Sequence, residues 1–121
     1  DRFVSALGID NSIFIWESTT GNRCYHRIFE YNTNMIKWVR MVYEEGSKHP
    51  NYSIILSNVN TIFHYFFHFE LKSMQYSMQC NKFSLPSSGL VRTFVCSVYD
   101  YNTKSLLVGT TGGEICIFSI D

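Results

Sequence analysis

Two histidines, His64 and His68, stand four residues apart. On a helix that interval would set both imidazoles on one face, the usual disposition of metal ligands. On a strand they also share a face, but four residues of rise make joint chelation difficult. No third ligand is spaced nearby, since Cys80 lies across an expected turn. The stretch therefore reads as solvent-facing histidines alternating with core Phe63, Tyr65, Phe67 and Phe69. Cys24 and His26 form a Cys-x-His pair at alternate positions, again on one strand face. A thiolate nucleophile needs a base and an orienting group converging on it, and the sequence offers no such third group. Thr110, Thr111, Gly112 and Gly113 would suit a phosphate cradle only if a helix and a Lys-Ser/Thr pair followed. A strand-like run follows instead, so these four residues read as a hairpin turn. Asp10 fits a structural role, bonding turn amides and side chains. No catalytic, metal or cofactor residue is expected, and an enzyme is the least favoured class.

The elements that position these residues read as strands. Residues 3–8 and 12–17 are apolar runs flanking Asp10 and Asn11, which tolerate left-handed backbone angles and close a hairpin. Ile13, Phe14, Ile15 and Trp16 supply β-branched and aromatic bulk. Residues 23–29 mix charge with aromatics, as suits an edge strand. Residues 35–43 approach helical spacing, but their place in the repeat favours a strand. Residues 44–51 form a charged loop holding Gly46 and Pro50. A second hairpin spans 52–69, and 74–79 alternates as an outer strand. Residues 81–89 read as a loop around Pro86. Residues 92–99 open a third unit, whose hairpin spans 105–119. Glu44, Glu45, Lys48, His49, Lys82 and Ser87 are the candidate partner-contact residues of the two loops. Tyr25 and Tyr76, on outer strands, suit packing and partner contact equally.

Trp16, Tyr65 and Phe118 mark one recurring position, at spacings of 49 and 53 residues. Propeller blades repeat every ~40–45 residues, and the surplus is housed in the two loops. Only the first unit carries both the Asp and the Trp; Val59 and Gly112 stand where Asp10 does. Asp10 followed six residues later by Trp16 and then Glu17 resembles the signature of a WD-repeat blade. The fold expected is all-β: a partial WD40-type propeller of about two and a half four-stranded blades, where closed rings have about four to eight. The whole chain, 1–121, then forms a fragment of one propeller domain.

Composition agrees with that class. Apolar residues make up 45%, aromatics 17%, and Ala6 is the sole alanine, a bias toward strands. Ten basic residues balance ten acidic ones, so no basic field is present to hold nucleic acid or anionic lipid. The apolar runs are too short to span a membrane as helices, and no secretory leader is expected. Cys24, Cys80, Cys96 and Cys116 lack Cys-x-x-Cys spacing, so reduced, packed thiols in an intracellular protein are expected.

Val4 to Gly8 followed by Ser12 to Trp16 resembles one blade of the cilia- and flagella-associated WD-repeat proteins of the doublet-microtubule inner junction. Val108 to Ile115 is similar to a Leu-Gly-Thr-Thr-Thr-Gly-Asp-Ile stretch two blades later in that family, with an Asn60-Thr61-Ile62 hairpin between. The resemblance covers most of the chain, is specific at the two outer hairpins, and departs between Tyr25 and Pro86. It implies tandem propellers, no catalytic activity, no cofactor, and a scaffolding role in the axoneme of a cilium or flagellum. The implied partners are tubulin, neighbouring inner-junction proteins and the remaining blades of the same propeller. The alternative is a cytosolic WD-repeat adaptor that presents peptides or substrates within an enzyme or signalling complex. Such adaptors read charged peptides with clustered arginines. Arg23, Arg27, Arg40 and Arg92 form no visible cluster along the sequence.

Overall fold

The computed structural model describes residues 2–30, 32–43, 45–46, 48–58, 61–84 and 93–120, with backbone alone at 81–84. Among these residues the chain is all-β, with ten strands in three antiparallel sheets. The first sheet comprises β1 (Phe3–Leu7), β2 (Ser12–Glu17) and β3 (Arg23–Ile28). The second comprises β4 (Met35–Val42), β5 (Asn51–Asn58), β6 (Thr61–Glu70) and β7 (Gln75–Ser84). The third comprises β8 (Phe94–Asp100), β9 (Ser105–Thr110) and β10 (Ile115–Ser119). Each sheet is a meander, its strands paired in sequence order.

Local chemistry sets the turns. Asn11 takes a left-handed φ of 66° between β1 and β2, which its short polar side chain tolerates. The Gly8 amide donates to the Ser12 carbonyl at 2.8 Å, and the Phe29 amide donates to Asn11 at 2.9 Å. Between β9 and β10 the left-handed position is Gly113, at φ 80°, one residue after Gly112.

Two apolar cores lie between the sheets, and the second sheet contributes to both. Ile13, Ile15 and Phe3 of the first sheet meet Ile54, Leu56, Tyr65 and Phe67 of the second. On the opposite face, Met35, Val39, Ile55 and Ile62 meet Phe94, Leu106, Val108 and Phe118 of the third. Polar bonds cross both seams. Trp38 Nε1 donates to Ser5 Oγ at 2.9 Å, and Arg27 Nη1 donates to the Met78 carbonyl at 3.2 Å. Toward the third sheet, Asn34 Nδ2 donates to the Phe94 carbonyl while Asn34 Oδ1 accepts from Ser57 Oγ, each at 2.5 Å. The Tyr101 hydroxyl donates to the Val39 carbonyl at 2.8 Å.

Several sequence expectations need correction. Residues 81–84 belong to β7, so Lys82 stands on a strand opposite His64 and not in a loop. Polar residues paired to a neighbouring strand continue it. Glu44, Ser87, Val59, Arg92 and the remainder of the second loop lie outside the described residues. Cys80 and Cys96 are exposed and Cys24 and Cys116 half-buried, so the cysteines are not uniformly packed. Among the described residues no helix is long and apolar enough to cross a membrane.

Candidate functional site

The residues that suggested chemistry do not assemble into a reactive centre. His64 is buried, not solvent-facing, because β6 is covered on both sides and polarity no longer alternates along it. Its Nε2 lies 2.9 Å from Ser53 Oγ, itself fully buried. His68 lies on the same strand face nearer the sheet's rim, where Nε2 meets Ser77 Oγ at 3.1 Å and Glu70 Oε1 at 3.9 Å. Among the described residues no three His, Cys, Asp or Glu side chains are grouped to hold a metal ion.

A β-bulge between Ile15 and Trp16 interrupts the pairing of β2 with β3. It breaks the alternation expected for the Cys-x-His pair. Cys24 packs against the inner core and its thiol donates to the Ile15 carbonyl at 3.5 Å. His26 stacks on the outer-face ring of Phe14, with centroids 4.4 Å apart. Burial first, and then the Glu17 carboxylate, push the Cys24 thiol up, away from the thiolate a nucleophile requires. Thr110 and Gly113 close their turn on themselves, the Gly113 amide donating to the Thr110 carbonyl at 3.1 Å.

The structural positions fall as follows. Asp10 accepts a short hydrogen bond from Ser12 Oγ, which holds its carboxyl below the usual range. Trp16 is half-buried and stacks on Phe14 at 5.9 Å. Tyr65 and Phe118 are buried, Tyr65 against Phe29 and Phe118 edge-on to Phe94. Glu45, Lys48 and His49 are exposed, with the His49 ring 5.5 Å from Phe69. Tyr25 and Tyr76 resolve as packing residues. Tyr76 stacks on Phe67 at 4.9 Å, and Tyr25 meets the same ring edge-on at 5.5 Å.

What the tertiary structure does assemble is a basic groove. A cavity of about 470 Å³ opens between β1, β4, β5 and the turn after β8, with Arg2, Trp38, Arg40, Tyr52 and Tyr101 in its wall. A second, of about 210 Å³, adjoins it through Arg2 and Tyr52 and adds Lys48 and His49. Arg40 Nε is buried without a hydrogen-bond partner. Tyr52 is the first of the neighbours that raise the Arg2 guanidinium above its ordinary value, with Tyr76 and Glu17 adding to it. Among the described residues no carboxylate lines either cavity. No sequence signal joins Arg2 to Arg40 and Lys48, because their proximity is created by the seam between the first and second sheets.

Among the described residues, the first and third sheets each leave one face uncovered. On the first it carries Val4, Phe14, Trp16 and Ile28, with Val4 and Ile28 exposed. On the third it carries Val98, Ile115 and Ile117, all exposed. The chain matches no protein-family model and no curated protein.

Proposed function

We propose that the three sheets are consecutive blades of a WD-repeat propeller, and that the chain serves as a non-catalytic scaffold. The single observation that carries the reading is a head-to-tail packing order. Ile13 and Ile15 of β2 face the second sheet, while Phe14 and Trp16 face away from it. Their counterparts repeat the arrangement: Ile62 of β6 faces the third sheet, while Phe63 and Tyr65 face the first. In β10, Cys116 and Phe118 face the second sheet, and Ile115 and Ile117 point outward. Each unit thus offers one face to the unit before it and the other to the unit after. Such heterologous contacts propagate, and form a ring where the rotation closes. The uncovered faces at both ends are then seats for further blades of the same kind.

The cellular role rests on the resemblance of the two outer hairpins: an inner-junction protein of ciliary or flagellar doublets, touching tubulin and structural neighbours. Co-sedimentation of the full-length protein with microtubules, and its retention in salt-extracted axonemes, is the expected result. A protein that never enters axonemes is instead a cytosolic adaptor, and the microtubule role is lost.

A further inference from the structure

We propose that Arg27 guards the outer edge of β7, and that removing its charge lets β7 pair with β7 of a second copy of this chain. The scaffold reading does not supply this. It enters only in taking the second sheet as complete at its fourth strand.

Three observations carry it. The first is an open edge. Among the described residues β7 ends the second sheet and is paired on one side only, with β6. Glu70 and Gln75 close the turn between the two strands. Antiparallel alternation from that pair turns the N–H and C=O of Tyr76, Met78 and Cys80 away from β6.

The second is that β7 does not protect this edge itself. Edge strands are blunted by charge, by proline or by a covering element. From Gln75 to Asn81 there is no charged residue, no proline and no glycine, and Gln75, Gln79 and Cys80 are exposed. By contrast β3, at the end of the first sheet, carries Arg23 and Arg27. A second β7 is the partner that such a run fits. A two-fold contact sets each surface against its own copy, and no like charges then oppose one another along the strands.

The third is that protection comes from the neighbouring sheet. Arg27 Nη1 donates to the Met78 carbonyl at 3.2 Å, in the middle of the open row. The guanidinium lies over the rings of Phe29, at 4.8 Å, and Tyr65, at 5.7 Å. Its charge reaches the next open position as well. Burial raises the Cys80 thiol, and the Arg27 cation acts against that rise. A second β7 laid antiparallel at the usual spacing of about 5 Å would bring another guanidinium beside this one. It would also meet a central carbonyl that is already engaged.

The test uses the full chain under reducing conditions, because Cys80 is exposed. Sedimentation velocity reads self-association, and hydrogen exchange by NMR reads the Tyr76, Met78 and Cys80 amides. Arg27→Gln is expected to tighten self-association about tenfold or more, and to slow those amides as concentration rises. Arg27→Lys, which keeps the charge, and Arg23→Gln, whose guanidinium lies over Phe14 instead, do neither. Adding Gln79→Lys to Arg27→Gln puts a charge on the edge itself and reverses the association. Equal release by either control overturns the proposal. Association that Gln79→Lys fails to reverse marks an opened seam, not strand pairing, and overturns it too. An Arg27→Gln chain whose amides exchange freely at every concentration also overturns it, and leaves the blade reading standing. Slow exchange of the same amides in dilute wild-type protein shows another segment of the chain on β7, and overturns the proposal and the four-stranded blade together.

Discussion

Ile54 and Ile55 are adjacent in β5, both fully buried, and belong to different cores. One side chain is packed against the first sheet and its neighbour against the third. The second sheet is therefore the shared wall of both seams. Ile54→Ala and Ile55→Ala are each expected to destabilise the chain by about 2–5 kcal/mol, through lost burial and the cavity left behind. Urea denaturation measures both. A near-neutral result at either position would mean that the corresponding sheet is not packed there.

The buried pair Ser53 and His64 makes a second case. Removing one partner of a buried hydrogen bond costs about 1–3 kcal/mol, while replacing both with apolar groups is nearly neutral. Ser53→Ala alone is expected to lower the melting temperature. Ser53→Ala combined with His64→Leu is expected to recover much of the loss. Strict additivity of the two substitutions in a double-mutant cycle would show that the 2.9 Å contact contributes nothing.

Strand identity was legible to the extent that local chemistry decides it. The Asn11 turn and the β-branched run after it give β2 its observed bounds, Ser12–Glu17. Met35–Val42 is a strand although its apolar spacing approaches a helical one, since pairing with β5 overrides local periodicity. The burial of His64 was not legible, because a strand covered on both faces loses the alternation that reveals which side is wet. Nor was the bulge that parts Cys24 from His26, a one-residue event with no residue signature here. The groove was least legible of all. Arg2 is distant in sequence from Arg40 and Lys48, and only the meeting of the first and second sheets unites them.

Acid should weaken two turns. The Asp10 carboxyl is held below its ordinary value of 3.8, first by the Ser12 hydroxyl. The Asp100 carboxyl is lowered first by the Thr103 hydroxyl, 2.7 Å away, and then by the Asn102 amide. A carboxyl whose folded pKa lies below its unfolded one contributes fully above the unfolded value and loses that contribution as pH falls through the folded one. The melting temperature is thus expected to drop below pH 3.8, beyond the general acid response. Ser12→Ala with Thr103→Ala should flatten that part of the curve. An unchanged slope would remove these two turns from the account of acid sensitivity.

Gly8 tests the first turn from the other side. A Cβ there would stand 2.7 Å from Asp10 Oδ1 and 2.8 Å from Ser12 Oγ, the two atoms of the capping bond. Both belong to short side chains already engaged with one another, so neither can withdraw without breaking that bond. Gly8→Ala is expected to lower the melting temperature, and to do so much less when Ser12→Ala is already present. Equal losses in the two backgrounds would show that the turn accommodates the methyl group elsewhere.

The packing order yields a sharper contrast between equivalent positions. Ile62 and Ile115 occupy corresponding places in β6 and β10, yet Ile62 is 1% exposed and Ile115 70%. A lysine at Ile62 would bury an ammonium among apolar side chains with no counter-charge described beside it, a severe penalty. A lysine at Ile115 would meet solvent, where substitutions generally stay within about 0.5 kcal/mol. Ile62→Lys is therefore expected to abolish cooperative folding, and Ile115→Lys to leave the melting temperature nearly unchanged. If the outward face of β10 seats another blade, Ile115→Lys also reduces association of this chain at high concentration, as sedimentation velocity would record. A stable, well-folded Ile62→Lys variant would contradict the second seam itself, and with it the head-to-tail order on which the scaffold reading depends.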